Sequence, residues 1–319
     1  MPATSAGETE VSRRRGRRAA RSAAARKEER AGFLFAAPWL IGVVLLLIGP
    51  IIASGILSLT NWNLISSPRW VGLDNYRTMI ASDSFWQSIK VTLFYTLLAI
   101  PIYQVAGLAL ALLLNQRVKG MYLFRTVLFL PAVLSGVAVA VLWVSLLNPD
   151  LGAVNQGLRA IGIDDPPRWL QSPTWAIPSI VLMGLWGVGG GAIIYLAGLQ
   201  NIPPVLYQAA KMDGAGPWQT FRHITLPLLT PTLLFTLLIG LIEAFQVFDT
   251  AYVLGGGSQG GTRESLLFYV LNLWNEGFRN GRFGYASALA WVLVVAAATV
   301  IVLIFRTSSR WVYYESGGE

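Results

Sequence analysis

The chain of 319 residues has no cysteine and one histidine, His223. Without thiols there is no disulfide framework, no thiolate metal site and no thiol nucleophile, and the redox compartment is left open. His223 has no second metal ligand near it in sequence, and no Ser/His/Asp constellation can be built around it, so it reads as a polar interfacial residue. Charge is scarce too. Asp, Glu, Lys and Arg make up 13% of the residues, against about 25% in a soluble domain. These absences exclude most catalytic chemistries and point to lipid as the solvent.

Long apolar runs take the place of charge. Six stretches, 33–59, 91–114, 127–147, 176–199, 228–247 and 285–305, reach the roughly 20 residues that a bilayer crossing requires. Five of the six contain no charged residue, and the fifth contains one, Glu243. Six such segments in a soluble protein would leave almost no amphipathic surface. The pattern predicts an all-α integral membrane protein with six transmembrane helices. The first stretch exceeds the apolar core of about 7–15 residues in a signal peptide and ends without a small-x-small site, so it reads as a retained helix.

Lys and Arg set the expected orientation. With the N-terminus inside, sixteen of the 24 basic residues lie inside, nine of them in the N-terminal tail. The expected topology is N-in, C-in. The tail supplies +5 of the net +8 charge, and a basic run ahead of a span is a topology determinant that touches anionic lipid rather than a nucleic-acid patch. Residues 1–30 are expected to be a disordered basic cytoplasmic tail, 31–310 the six-helix transmembrane domain, and 311–319 a cytoplasmic C-terminal tail.

Between the spans, 61–90 is aromatic-rich and suits the membrane interface. Residues 148–175 carry turn chemistry (NPD, DDPP, SPT). Residues 263–275 place Leu266, Leu267, Val270, Leu271 and Trp274 at helical spacing, predicting a short helix that lies on the membrane or re-enters it. Pro38, Pro50, Pro101, Pro131, Pro178 and Pro231 should kink helices or mark their ends. The fourth stretch carries a GxxxG pair, Gly187 and Gly191, read first as close helix packing and second as a hinge or a substrate-lining notch. GGGSQGGT, 255–262, lacks the Lys that a phosphate-binding loop needs after its last Gly, so it is a flexible turn. No internal repeat is evident.

The polar island 200–227 breaks this pattern. Asn201 can cap a helix, Pro203 and Pro204 suit its first turn, and Gly214 is a natural C′ stop. Ala209 and Ala210 expose little side chain, so another protein could pack closely there, with Tyr207, Gln208, Lys211 and Asp213 as a polar rim. From the residues alone, a docking lever and a simple loop anchor are equally good readings.

Its wording resolves the choice. Gln208-Ala209-Ala210, Asp213-Gly214-Ala215 and Ile224-Thr225-Leu226-Pro227 resemble the EAA, DGA and I-x-LP pattern of binding-protein-dependent ABC importer permeases. Trp70–Ile80, LFLPAV at 128–133, 198–210, FQVFDTAYVLGGG at 245–257 and GYASALAW at 284–291 resemble the carbohydrate-uptake branch, in particular its first permease subunit of the maltose, lactose and glycerol-3-phosphate type.

That resemblance implies a cytoplasmic coupling helix carrying Tyr207, Gln208, Ala209, Ala210, Asp213, Gly214 and Ala215. It implies partners as well: a second homologous permease (less often a second copy), a cytoplasmic ATPase dimer that uses ATP and Mg, and an extracytoplasmic solute-binding protein. The chain itself would bind no cofactor and catalyse nothing. The membrane would be a bacterial or archaeal plasma membrane. One departure stands out: Gln208 occupies the position where the family pattern has Glu.

For the solute path, Glu243 in a span is a functional candidate by default. Gln246 and Asp249 follow at three and six residues, so one helical face could carry all three. Trp143, Tyr252 and Trp291 could supply rings for the apolar faces of a sugar. The expected function is a permease subunit of an ATP-driven sugar importer working by alternating access. The rivals are the same machinery for glycerol phosphate or another small solute, and an ATP-independent secondary transporter.

Overall fold

A computed structural model describes residues 28, 30–116, 119–257 and 260–313. The basic run at Arg13–Arg18, the rest of the N-terminal tail to Lys27, and residues 314–319 lie outside the described residues. By its contacts the chain divides into two units, Met1–Ile56 and Leu57–Glu319. The first contributes the apolar helix α1, Arg30–Leu57, 28 residues long. Its turn Val43–Ile48 is a π-helix, and no described side chain of Val43–Leu57 is buried.

The second unit opens on a two-stranded antiparallel ribbon, β1 (Thr60–Asn61) with β2 (Arg69–Trp70), in register Thr60↔Trp70. Helix α2, Asp74–Ile80, is pinned to it through Asn75, whose Nδ2 donates to the carbonyls of Ser58 (2.8 Å) and Thr60 (2.9 Å). Tyr76 donates to Ser58 Oγ at 2.9 Å. The interfacial segment is therefore ordered by its own polar side chains.

Helix α3, Asp83–Leu114, runs 32 residues, with Ser82 as its cap and Asp83 in its first turn. Both acceptor and charge suit the exposed N–H groups there. It begins eight residues before the apolar stretch at 91 and passes Pro101 unbroken. Arg125 Nη2 donates to the Leu114 carbonyl at 2.8 Å, closing the hairpin to α4, Met121–Val133.

Two predicted spans are broken. Helices α4 and α5 (Gly136–Leu146) meet at 95°, where Leu134 is extended (ψ 147°) three residues after Pro131. The fourth stretch splits into α7 (Ala176–Trp186) and α8 (Gly189–Gln200), bent by 52°. Four helices are long and apolar enough to cross a membrane, or up to six if each bent pair counts as one span. The segment 148–175, read as turns, also contains a helix, α6 (Ala153–Ala160). Buried Asn155 orders it: Nδ2 donates to the Pro149 carbonyl at 3.0 Å, and Oδ1 accepts from Trp169 Nε1 at 2.7 Å.

Helix α9 (Pro204–Met212) precedes α10 (Pro217–Phe245), whose turn Phe221–Thr225 is π-helical. Helix α11 (Asp249–Leu254) follows. The helix predicted over 263–275 is shorter. Arg263 and Glu264 have positive φ (52° and 56°), and Leu266, Leu267 and Phe268 run non-helically before α12, Tyr269–Trp274. The apolar residues are not on a membrane-facing stripe. Leu266, Leu267, Phe268 and Leu271 are buried in the core; Phe268 meets Tyr95 edge-on at 5.2 Å, and the Tyr269 N–H donates to Thr92 Oγ1 at 2.9 Å. The last helix, α13, is Phe283–Ser308.

The buried core of this unit falls into three groups. One joins α3, α5, α7, α10, α11 and the 266–268 segment. A second joins α3, α8 and the start of α10, and a third joins α2, α12 and α13. Much of the rest of each long helix is apolar and exposed, for example Leu97, Val105 and Val295, as a helix needs when lipid is its solvent.

Candidate functional site

The island 200–227 forms a short, tightly bounded helix, α9, between two turns. Pro203 is the N-cap of α9 and Pro204 its first residue, a place where a missing N–H removes no helical bond. Asn201 does not cap this helix; it closes the C-terminus of α8. At nine residues, α9 has about two and a half turns rather than three. Its C-terminus is a complete Schellman motif. Gly214 sits at φ +76°, the Ala215 N–H donates to the Ala210 carbonyl at 2.9 Å, and the Gly214 N–H donates to the Lys211 carbonyl at 3.2 Å. Two residues on, Gln219 Oε1 accepts from the Gly216 N–H at 2.8 Å, starting α10.

This helix has one inner and one outer face. Tyr207 reaches Thr225 Oγ1 at 3.1 Å and packs with Ile224 and Leu228 on the buried group around Ile202, Leu199 and Leu229. Ala210 is buried within the protein, so only Ala209 of the alanine pair is open to a partner. The outer face carries Val205, Leu206, Gln208, Ala209 and Met212, with Lys211 and Asp213 beside them. Met212 is 88% exposed and Trp218 68%. Tyr207 thus joins this segment to α8 and α10.

A cavity of 560 Å³ lies among α3, α4, α7, α8 and α10, and Glu243 is on its wall. Its polar lining also includes Tyr95, Tyr103, Gln104, Tyr195 and Thr236, none of which the sequence reading singled out. Gln104, Tyr195 and Thr236 come from three helices and bond to one another: the Tyr195 hydroxyl donates to Gln104 Oε1 and lies 2.7 Å from Thr236 Oγ1, which is 3.0 Å from the same Oε1. The signal that could have found them was their polarity within apolar spans, the same signal that picked out Glu243.

The other expected path residues stand elsewhere. Helix α10 ends at Phe245, with Gln246 as its C-cap and Phe248 at φ −132°, ψ −63°. Asp249 therefore starts a new helix, where its charge suits the N-terminal dipole, and shares no continuous helical face with Glu243. Tyr252 joins a ring cluster with Phe248 and Trp274, at 5.7 and 5.2 Å. Trp143 meets Trp186 edge-on at 6.3 Å. Gln246, Asp249, Tyr252, Trp143 and Trp291 are not among the residues lining the cavity.

Neither glycine of the GxxxG pair packs against another described helix. Gly187 caps α7 at the bend, and nothing lies within 4 Å of a Cβ placed on Gly191. Both line the cavity, with Gly184 and Gly190. The glycine that lets two backbones touch is Gly189, against the Leu128 carbonyl, while Gly184 makes room for the Tyr103 phenol.

Comparison with known proteins supplies the family. The model of the binding-protein-dependent transport system inner membrane component matches residues 92–314. The probable ABC transporter permease protein YesP of Bacillus subtilis is 40% identical, over 94% of this chain and 97% of its own length. The trehalose/maltose transport system permease protein MalF of Thermococcus litoralis is 34% identical, over 88% and 95%. A crystal structure of a bacterial ABC transporter involved in the import of the acidic polysaccharide alginate contains a chain that is 30% identical, with a TM-score of 0.77 over 88% of this chain and 96% of that one. The chain therefore belongs to the family of binding-protein-dependent transport system inner membrane components, as a permease subunit that leaves ATP hydrolysis to a separate subunit.

Proposed function

We propose that this chain is the membrane-spanning subunit of an ATP-driven, binding-protein-dependent sugar importer that works by alternating access. The observation that carries the mechanism is the lever 204–216: one face is locked to α8 and α10, the other is open, it begins at Pro203-Pro204 and its C-terminus is closed by the Schellman bonds at Gly214 and Ala215. A cytoplasmic ATPase dimer docks on Gln208, Ala209 and the exposed apolar residues around them. Closure of that dimer on ATP draws the lever, and the spans reorient around the cavity that Glu243 lines. In this reading each bent pair crosses the bilayer once, giving six spans with both termini inside.

A second, homologous permease completes the cavity, and an extracytoplasmic solute-binding protein delivers the solute. The sugar assignment is supported by the trehalose/maltose permease MalF, by the lactose transport permease LacF of Rhizobium radiobacter, 36% identical over 86% of this chain, and by an alginate transporter chain solved in complex with an alginate pentasaccharide-bound periplasmic protein, 27% identical with a TM-score of 0.78. Cavity chemistry agrees: amide, phenol and carboxylate groups accept the several hydrogen bonds that a polyol offers. Purification of the chain should bring the ATPase with it, and a catalytically dead ATPase should abolish uptake. Gradient-driven uptake that persists without any ATPase would refute the proposal.

A further inference from the structure

Building on the sugar-importer reading, we infer that Glu243 makes this wall of the cavity a charge filter, admitting neutral and cationic saccharides and rejecting anionic ones such as uronates and phosphorylated polyols. Among the described residues that line the cavity, Glu243 is the one charged group, and no Lys, Arg or His faces it. None of the ion pairs among the described residues involves it; those are Arg77 with Asp74 and Arg282 with Glu276. A carboxylate on the cavity wall repels a second anion, the more strongly the less water is left between them. Glu243 also stands in the last turn of α10, where its own carbonyl accepts the Gln246 N–H at 3.1 Å. The negative end of the helix dipole adds to the same field.

Most of the neutral groups on the wall point the same way, because the protein already uses most of their protons. The Tyr103 hydroxyl donates to the Val181 carbonyl at 3.1 Å. The Tyr195 hydroxyl is spent within the Gln104 cluster, and Gln104 Nε2 donates to the Leu233 carbonyl at 3.4 Å. Beside the Tyr95 hydroxyl and the second N–H of Gln104, the wall offers a ligand mainly oxygen lone pairs. A solute must then bring donors, as the hydroxyls of a neutral sugar or the ammonium of an amino sugar do. A carboxylate or phosphate brings acceptors to a wall already rich in them.

The test is equilibrium binding to the purified whole transporter in lipid nanodiscs, without the solute-binding protein, so that delivery does not filter the probes. The probes are a neutral glucose trimer, a mannuronate trimer and a glucosamine trimer. Wild type should prefer the neutral to the anionic trimer by ~10-fold or more, and bind the glucosamine trimer at least as well as the neutral one. In E243Q the neutral-to-anionic ratio should fall toward one, and in E243K it should invert. Equal binding of neutral and anionic trimers by wild type, or an unchanged ratio in both variants, would overturn the filter and leave the sugar importer standing. Binding of none of the three by wild type would count against the sugar reading itself. Thermal unfolding of each variant in the same nanodiscs separates a changed ratio from a damaged fold.

Discussion

Gly214 illustrates how a single backbone angle can carry a mechanism. Nothing stands within 4 Å of the place where a Cβ would be, so space does not demand glycine here; the φ of +76° does. A β-branched residue held in that conformation costs about 1–3 kcal/mol, comparable to what two capping bonds can hold. Gly214→Val should therefore unwind the end of the lever and lower transport per ATP hydrolysed, whereas Gly214→Asn, which tolerates the left-handed region, should keep most of the coupling. Equal coupling ratios for Val, Asn and wild type in reconstituted vesicles would exclude a mechanical role for this stop. At the cavity, Thr236 is bonded to both Tyr195 and Gln104. Thr236→Val keeps shape and deletes that hydroxyl, so unfolding in detergent should become easier by about 0.5–1.5 kcal/mol. No change would mean that the cluster contributes nothing to holding the three helices.

At the scale of elements, α8 reverses what its glycines were expected to do. Gly191, half of the GxxxG pair, opens onto the cavity, while a Cβ on Gly198 would come within 2.6 Å of Thr232 Oγ1 and 2.9 Å of Leu229 Cδ2. Gly189 is closer still to the Leu128 backbone. Gly198→Val and Gly189→Val should each lower the yield of folded protein sharply, and Gly191→Val should leave folding intact while narrowing the cavity and slowing uptake. Folding losses of equal size at all three positions would contradict this division.

The same helix shows why some features were legible and others not. The lever was readable because its signals are local: two prolines, a glycine and their spacing define both ends of α9. The spans were readable from apolar length alone. The cavity was not, because Gln104, Tyr195 and Thr236 are 91 and 41 residues apart and only tertiary packing joins them. The inward turn at Leu266–Phe268 was hidden for a related reason: its apolar spacing fits a helix, and only the positive φ at Arg263 and Glu264 breaks it. Asn201 misled because α8 runs on to Gln200, so the Asn201 backbone N–H closes that helix instead of opening the next.

For the whole molecule, orientation is the claim on which every other role depends, and the absence of cysteine makes it directly measurable. Single cysteines introduced into this chain give the only thiol signal from it. Tyr122 is 85% exposed, Leu151 80% and Met212 88%. Tyr122 and Leu151 flank the pair bent by 95°, and Leu151 and Met212 flank the pair bent by 52°. If each pair crosses the bilayer once, the three sites alternate sides. Leu151→Cys should then react with a membrane-impermeant maleimide in intact spheroplasts, and Tyr122→Cys and Met212→Cys only after permeabilisation. Met212 lies on the lever, so its labelling in intact cells would place the lever outside and remove any route to a cytoplasmic ATPase. Labelling of Tyr122→Cys together with Leu151→Cys would instead mean that α4 and α5 turn back without crossing. A broken span and a re-entrant loop expose the same apolar surface to lipid, and they differ in the side on which Tyr122 stands. The side on which Tyr122 reacts decides between them.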